Sequence, residues 1–264
     1  MGAKRHPDTS LILGRNPVRE LLERDPGRIE KVLLQRGTGG ADIAAIRRLA
    51  AEADVQVQYV PAGHLQQLAG GLNHQGVVAR AAALSYTDFD DLLQKVGASR
   101  EDIRTRRPRI LVLDGIQDPF NFGAILRSAA AFGAAGVVVP QRNMAPLNAA
   151  AMKASAGTAG RVPIARVTNL AEAIYQLKER GYWVAGADAD GDTDIWEMDW
   201  ERPLVIVLGS EGKGLRPRTL SECDYRLRIP IEAVAESLNV SVAAGILLCL
   251  AAKGQSNGAG RTGP

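Results

Sequence analysis

Six stretches in the second half of the chain read as strands: RILVLDGI, GVVVP, VPIARV, YWVAGAD, LVIVLGS and YRLRIPI. They are apolar runs without strict alternation. A strand with one face in water alternates, whereas one without alternation needs cover on both faces, the condition of a parallel sheet between layers of helix. The intervening segments supply those helices: the stretch around Arg127, NAAAMKASAG, NLAEAIYQLKERG, a short segment after Gly214 and the closing LNVSVAAGILLCLAAKG. The pattern predicts an α/β domain over residues 109–254, followed by a Gly-rich tail, 255–264, expected to be flexible.

The first part alternates too. IEKVLLQ, VQVQYV and GVVARAA read as strands, with ADIAAIRRLAAEAD and GHLQQLAG as helices between them, so residues 10–83 form a smaller α/β unit. In GRNPVRELLERD, Asn16 is expected to cap a helix with Pro17 at its first position. Residues 84–108 read as a linker with one weak amphipathic helix, ending in Arg100, Arg104, Arg106, Arg107 and Arg109. Such a cluster is either a solvated linker face or a set of phosphate contacts.

A length of 264 residues suffices for two domains with real cores. Net charge is only +3, but an isoelectric point near 9.0 leaves room for a basic patch and so permits a nucleic-acid partner. Aromatics make up 5%, so an RNA surface here should rest on backbone contacts more than on stacking. Cys223 and Cys249 lack CxxC spacing and read as ordinary thiols in a reducing compartment. His6, His64 and His74 lack metal-ligand spacing, so no metal is expected. With neither a signal-like N-terminus nor a membrane-length apolar run, the expected location is the cytoplasm, away from membranes.

Chemistry is concentrated in three stretches. Between Asp118 and Pro140, Arg127 is the single charged side chain after Asp118 itself. An unpaired charge is not buried cheaply, so Arg127 either reaches water or meets an anion. The turn DGIQDPFNFG lacks the glycine spacing of a dinucleotide fingerprint, which weakens a nicotinamide enzyme. GSEGKGL lacks both the spacing and the Ser/Thr of a Walker loop, but its glycines allow a ligand close to the backbone. In RIPIEAVAESLNVSVAAG, Ser237 or Asn239 can cap the last helix. Each stretch follows a strand, at the rim where open α/β sheets place their ligands. Arg127 is four residues after Gly123 on the same helical face, with Glu211, Ser237 and Asn239 as expected polar neighbours. Such a group suits handling a hydroxyl or a phosphate.

At these residues the sequence resembles the SpoU (TrmH-like) family of SPOUT RNA ribose methyltransferases. NFGAILR matches its first motif, LGSEGKGL its second and IPIEAVAESLNVS its third, in the family's order. GRNPVRELL and NHQGVVA also resemble the family's N-terminal RNA-binding domain, so the likeness spans nearly the whole chain. It is nearest to the branch that methylates a guanosine 2′-hydroxyl in the peptidyl-transferase region of 23S ribosomal RNA.

The resemblance implies a small N-terminal RNA-binding domain, a SPOUT domain with a trefoil knot, S-adenosylmethionine as cofactor and a homodimer. It implies that Gly209, Ile229 and Leu238 line the cofactor pocket and that Asn121, Arg127, Glu211, Ser237 and Asn239 form the active site. Arg127 is expected to stabilise a developing alkoxide and to grip a phosphate, since a guanidinium stays protonated. Where the family usually has Met-x-Gly after Ile-Pro, this chain has Ile231, Glu232 and Ala233, a departure that bears on cofactor affinity. Alternative functions are a transfer-RNA 2′-O-methyltransferase, a resistance enzyme acting elsewhere on ribosomal RNA, and a noncatalytic ribosomal-RNA-binding assembly factor.

Overall fold

A computed structural model describes residues 9–82, 86–232 and 237–256. The chain divides into two units, residues 1–85 with 146–160 and residues 86–145 with 161–264.

In the first unit, β1 (Thr9–Leu13), α1 (Arg15–Arg24), β2 (Ile29–Gln35), α2 (Ala41–Glu52), β3 (Gln56–Val60), α3 (Ala62–Ala69) and β4 (Val77–Ala82) follow one another. The sheet order is β1-β4-β2-β3, with β4 antiparallel to both neighbours and β2 parallel to β3. Leu13, Leu33, Val60, Leu65 and Val78 form a buried core against which Ala149 packs. Two features depart from the sequence reading. Strand β1 was not expected; it exists because Thr9 to Leu13 pair with Ala82 to Val78. Helix α1 begins one residue before Asn16, with Gly14 at φ 102° as its N-cap residue and no side-chain cap. The Arg15 amide donates instead to Gln75 Oε1 at 3.1 Å, a partner 60 residues away that local pattern does not reveal.

The second unit contains α4 (Phe89–Val96), α5 (Arg100–Arg106), β5 (Arg109–Asp114), α6 (Pro119–Ala131) and β6 (Gly136–Pro140). After α7 (Ala149–Ala154), which belongs to the first unit, come β7 (Ile164–Val167), α8 (Leu170–Glu179), β8 (Trp183–Ala187) and the two-residue β9 (Thr193–Asp194). The chain continues through β10 (Leu204–Gly209), α9 (Pro217–Leu220), β11 (Tyr225–Arg228) and α10 (Val240–Ser256). The sheet order is β7-β6-β5-β10-β8-β11-β9 and every pairing is parallel. Strands β5, β6 and β10 are almost wholly buried, as apolar runs without alternation require.

The stretch read as a linker is folded. Helices α4 and α5 bring Leu92, Leu93, Val96 and Ile103 into the same buried cluster as Ile110, Val112 and Val205. Asp88 and Ser99 cap them, accepting from Asp90 N and Asp102 N. Each arginine of the cluster has an intramolecular partner, although Arg104 and Arg106 stay exposed. Arg100 donates to the Glu179 carbonyl, while Arg104 pairs with Glu101, Arg106 with Asp102 and Arg107 with Glu201. Arg109 is buried and donates to the carbonyls of Ala251 and Gly133. Of the expected tail, Gln255 and Ser256 still belong to α10; the remainder, like Ala233, lies outside the described residues. No described helix is long and apolar enough to cross a membrane.

Candidate active site

Parallel strands deliver their C-terminal ends to one rim, and the loops leaving β5, β8, β10 and β11 meet there. The loop after β5 is fixed first. Asp118 caps α6, accepting from Phe120 N at 3.1 Å and Asn121 N at 3.2 Å, and Pro119 occupies the first helical position. That cap sets Asn121 at the helix entrance.

The loop after β10 is tied to β5. Asp114, 1% exposed, accepts from Arg216 N at 3.1 Å and from Arg216 Nε at 2.6 Å. Ser210 and Gly214 exchange backbone hydrogen bonds of 3.1 and 2.9 Å, closing a tight turn around Glu211. The turn presses on the strand end: a Cβ on Gly209 would lie 2.1 Å from the Gly214 carbonyl carbon. Glycine is required at 209 by close backbone approach.

From the third loop, Asn239 completes the group. Its Oδ1 accepts from Ser241 N at 2.9 Å, so it caps α10, and its Nδ2 donates to Glu211 Oε1 at 2.7 Å and to Asn121 Oδ1 at 3.0 Å. Asn121 Nδ2 also donates to Glu211 Oε1, at 2.9 Å. The capping role and the site role of Asn239 therefore coexist, one on each side of the amide. Glu211 Oε2 has no hydrogen-bond partner among the described residues and is left as an acceptor.

Glu211 and Asn239 stand at the edge of a cavity of about 790 Å³. Gly209, Ile229 and Leu238, the expected cofactor residues, all line it, as does Ser237. Ser237 makes no hydrogen bond among the described residues, so the cap falls to Asn239. The cavity also takes in Asp188, just past β8, which sequence reasoning missed. The available signal was positional: WVAGAD ends on an acid just past its strand, as LVIVLGSE does.

Arg127 is not part of the asparagine–glutamate group. It is exposed, with no hydrogen-bond or ion-pair partner among the described residues. Helical geometry gives the reason. Six residues separate it from Asn121, about 240° around the helix and roughly 9 Å along it. Arg127 shares an outward stripe of α6 with exposed Phe120 and Ala131. Helix α10 packs beside α6 and exposes Val242 and Cys249. Among the described residues no group of three or more His, Cys, Asp or Glu could hold a metal ion.

Residues 108–249 match the SpoU rRNA Methylase family, and residues 11–87 match the RNA 2′-O ribose methyltransferase substrate-binding family. A TrmH-family tRNA/rRNA methyltransferase of Bacillus subtilis is 40% identical over 237 residues, covering 90% of this chain and 92% of the relative. A tRNA/rRNA methyltransferase of Mycobacterium avium is 42% identical over 248 residues, covering 93% and 78%. Among solved structures, the SpoU methyltransferase AviRb of Streptomyces viridochromogenes superposes with a TM-score of 0.76 at 24% identity, covering 95% of this chain and 91% of that one. An RNA 2′-O ribose methyltransferase superposes with a TM-score of 0.75 at 25% identity, covering 94% and 90%.

Proposed function

Because the chain belongs to the SpoU rRNA methylase family, we propose that it methylates a ribose 2′-hydroxyl of RNA, a guanosine in the peptidyl-transferase region of 23S ribosomal RNA. The observation that carries this is the joining of Asn121, Glu211 and Asn239, one residue from each of three loops, at the edge of the 790 Å³ cavity.

S-adenosylmethionine, with which AviRb has been crystallised, supplies a sulfonium-activated methyl group when bound. The residues present fit it. The cavity falls within the size range of small-molecule and cofactor sites. Leu227, Ile229 and Leu238 offer apolar walls, and Glu211 places a carboxylate near a cationic ligand. Gly209, Ile229 and Leu238 hold the cofactor, largely through backbone groups, within the knotted threading that the family likeness implies.

The remaining work falls to alignment and to the hydroxyl proton. Two amides hold Glu211 Oε1, which leaves Oε2 to receive the ribose hydroxyl and orient it. Ser237, at the cavity wall, adds a rotatable hydroxyl beside the same ribose. Arg127 stabilises the developing alkoxide and grips the adjacent phosphate. Its outward position makes a homodimer part of the proposal: the exposed stripe of Phe120, Val242 and Cys249 is the contact face, and it carries Arg127 to a partner's site. The first unit holds the RNA, in the cytoplasm.

The test uses radiolabelled S-adenosylmethionine with large-subunit RNA from cells lacking the gene, followed by mapping of 2′-O-methyl positions. One labelled guanosine in the peptidyl-transferase region, absent with Arg127→Ala while cofactor binding persists, is the expected result. Label on transfer RNA alone would replace the substrate, a choice left open by relatives named tRNA/rRNA methyltransferases. Cofactor binding with no label on RNA or ribosomal particles would favour an assembly factor.

A further inference from the structure

The cofactor cavity has a second carboxylate, and its surroundings differ from those of Glu211. Asp188 follows β8, the strand between β10 and β11. Its Oδ2 accepts from Arg226 Nε at 3.0 Å and lies 2.9 Å from Arg226 Nη2, while its Oδ1 accepts from Asp190 N at 3.1 Å. Arg226 Nη2 also approaches the Asp190 carbonyl at 3.4 Å, tying the turn to β11. Gly191 permits this closeness, since a Cβ there would lie 2.4 Å from the Arg226 carbonyl oxygen. The carboxylate is thus fixed in place before any ligand arrives.

We propose that Asp188 receives the ribose hydroxyls of the bound cofactor and sets a preference for a ribonucleoside methyl donor. This rests on the cofactor assigned above. The methyl group must face Asn121 and Glu211, which follow β5 and β10, so the sulfonium lies toward that side. Asp188 stands one strand further along the sheet, a step of about 4.8 Å. The ribose, bonded to the sulfur through its 5′ carbon, reaches that far.

The charge balance selects hydroxyls over a cation. Arg226 already neutralises Asp188, so the ammonium of the methionine moiety would gain little by approaching it. Each carboxylate oxygen keeps acceptor capacity, which neutral hydroxyl donors can use. Leu227 and Ile229 beside it form an apolar wall for the attached base.

Calorimetric titration of the whole protein with S-adenosylhomocysteine tests this without depending on turnover. Asp188→Asn keeps an oxygen for the Asp190 amide and removes the charge; circular dichroism and melting confirm its fold. The expected result is a roughly 10- to 100-fold weaker Kd, the scale of a hydrogen bond to a charged group. The 2′,3′-dideoxy analogue should bind the wild type weaker by a similar factor, yet bind Asp188→Asn about as well as the parent compound does. Equal losses for both ligands in the variant would make Asp188 structural and overturn the proposal. A larger loss for S-adenosylmethionine than for S-adenosylhomocysteine would place the carboxylate at the sulfonium, overturning it likewise. A wild type that discriminates against the dideoxy analogue less than twofold would sink the inference while leaving the cofactor in place. Failure of the wild type to bind S-adenosylhomocysteine at all would overturn both.

Discussion

Replacing Gly209 with alanine should damage the cofactor site far more than one methyl group suggests. The new Cβ would lie 2.1 Å from the Gly214 carbonyl carbon, 2.3 Å from its oxygen and 2.4 Å from Leu215 N. Ordinary carbon contacts begin at about 3.5 Å, so the loop must retreat by roughly 1.5 Å. All three atoms are backbone, and no side chain can rotate away. The loop is pinned by the two Ser210–Gly214 hydrogen bonds and by Arg216 on buried Asp114. Losing the first pair costs about 1 kcal/mol per bond, and overpacking adds about 1–3 kcal/mol. A total of about 3–5 kcal/mol corresponds to a fall of roughly 6–20 °C in Tm for a protein of this size. Glu211 moves with the loop and leaves Asn121 and Asn239, so cofactor affinity falls at least tenfold. Differential scanning calorimetry and titration with S-adenosylhomocysteine measure both effects. Gly63→Ala is the control, because nothing lies within 4 Å of a Cβ there and alanine favours the helix. A Gly209→Ala protein melting within 1 °C of wild type with unchanged Kd would refute the close-approach reasoning.

Asp114→Asn removes the charge that holds Arg216, and chemical denaturation should show a loss of about 1–3 kcal/mol, moderated because Arg216 is half exposed. Arg109→Ala leaves the Ala251 and Gly133 carbonyls without that donor and should cost about 2–4 kcal/mol by the same measurement. Burial pushes the Cys223 thiol up to about 12, so at pH 8 a thiol reagent should spare it in the folded protein and label exposed Cys249. Because the fold favours protonated Cys223, that contribution to stability is complete below about pH 9 and declines as pH rises toward 12; Cys223→Ala should flatten the decline. Labelling of Cys249 should slow as protein concentration rises if α10 lies in the homodimer contact.

The sheet of the second unit was legible because apolar runs without alternation admit few other structures. The meeting of Glu211 and Asn239 was legible through their shared place beyond strand ends, and Asn121 joined them only through the motif resemblance. What the sequence concealed depended on partners distant along the chain. Asn16 looked like a cap because Gln75, which takes the Arg15 amide, stands 60 residues away. Arg100, Arg107 and Arg109 looked available because Glu179, Glu201 and the Ala251 carbonyl meet them only after folding. Arg127 was placed with Glu211 by a shared rim, but helical rotation turns it outward. Asp188 was overlooked because its partner, Arg226, enters from a strand 38 residues later.

The pairing of β1 with β4 also constrains the order in which the protein can be completed during synthesis. The first strand made is the edge of its sheet and must wait for residues 77–82 to emerge before it has a neighbour. Its cover comes later still, since α7, which packs on β1, spans Ala149–Ala154. By then β5, α6 and β6 have already left the ribosome, so assembly of the two units overlaps in time. A nascent chain stopped near residue 85 would leave β1 without its covering helix and expose an apolar face. Chaperone contact should therefore persist until about residue 160 has emerged, well past the end of the first unit's own sheet.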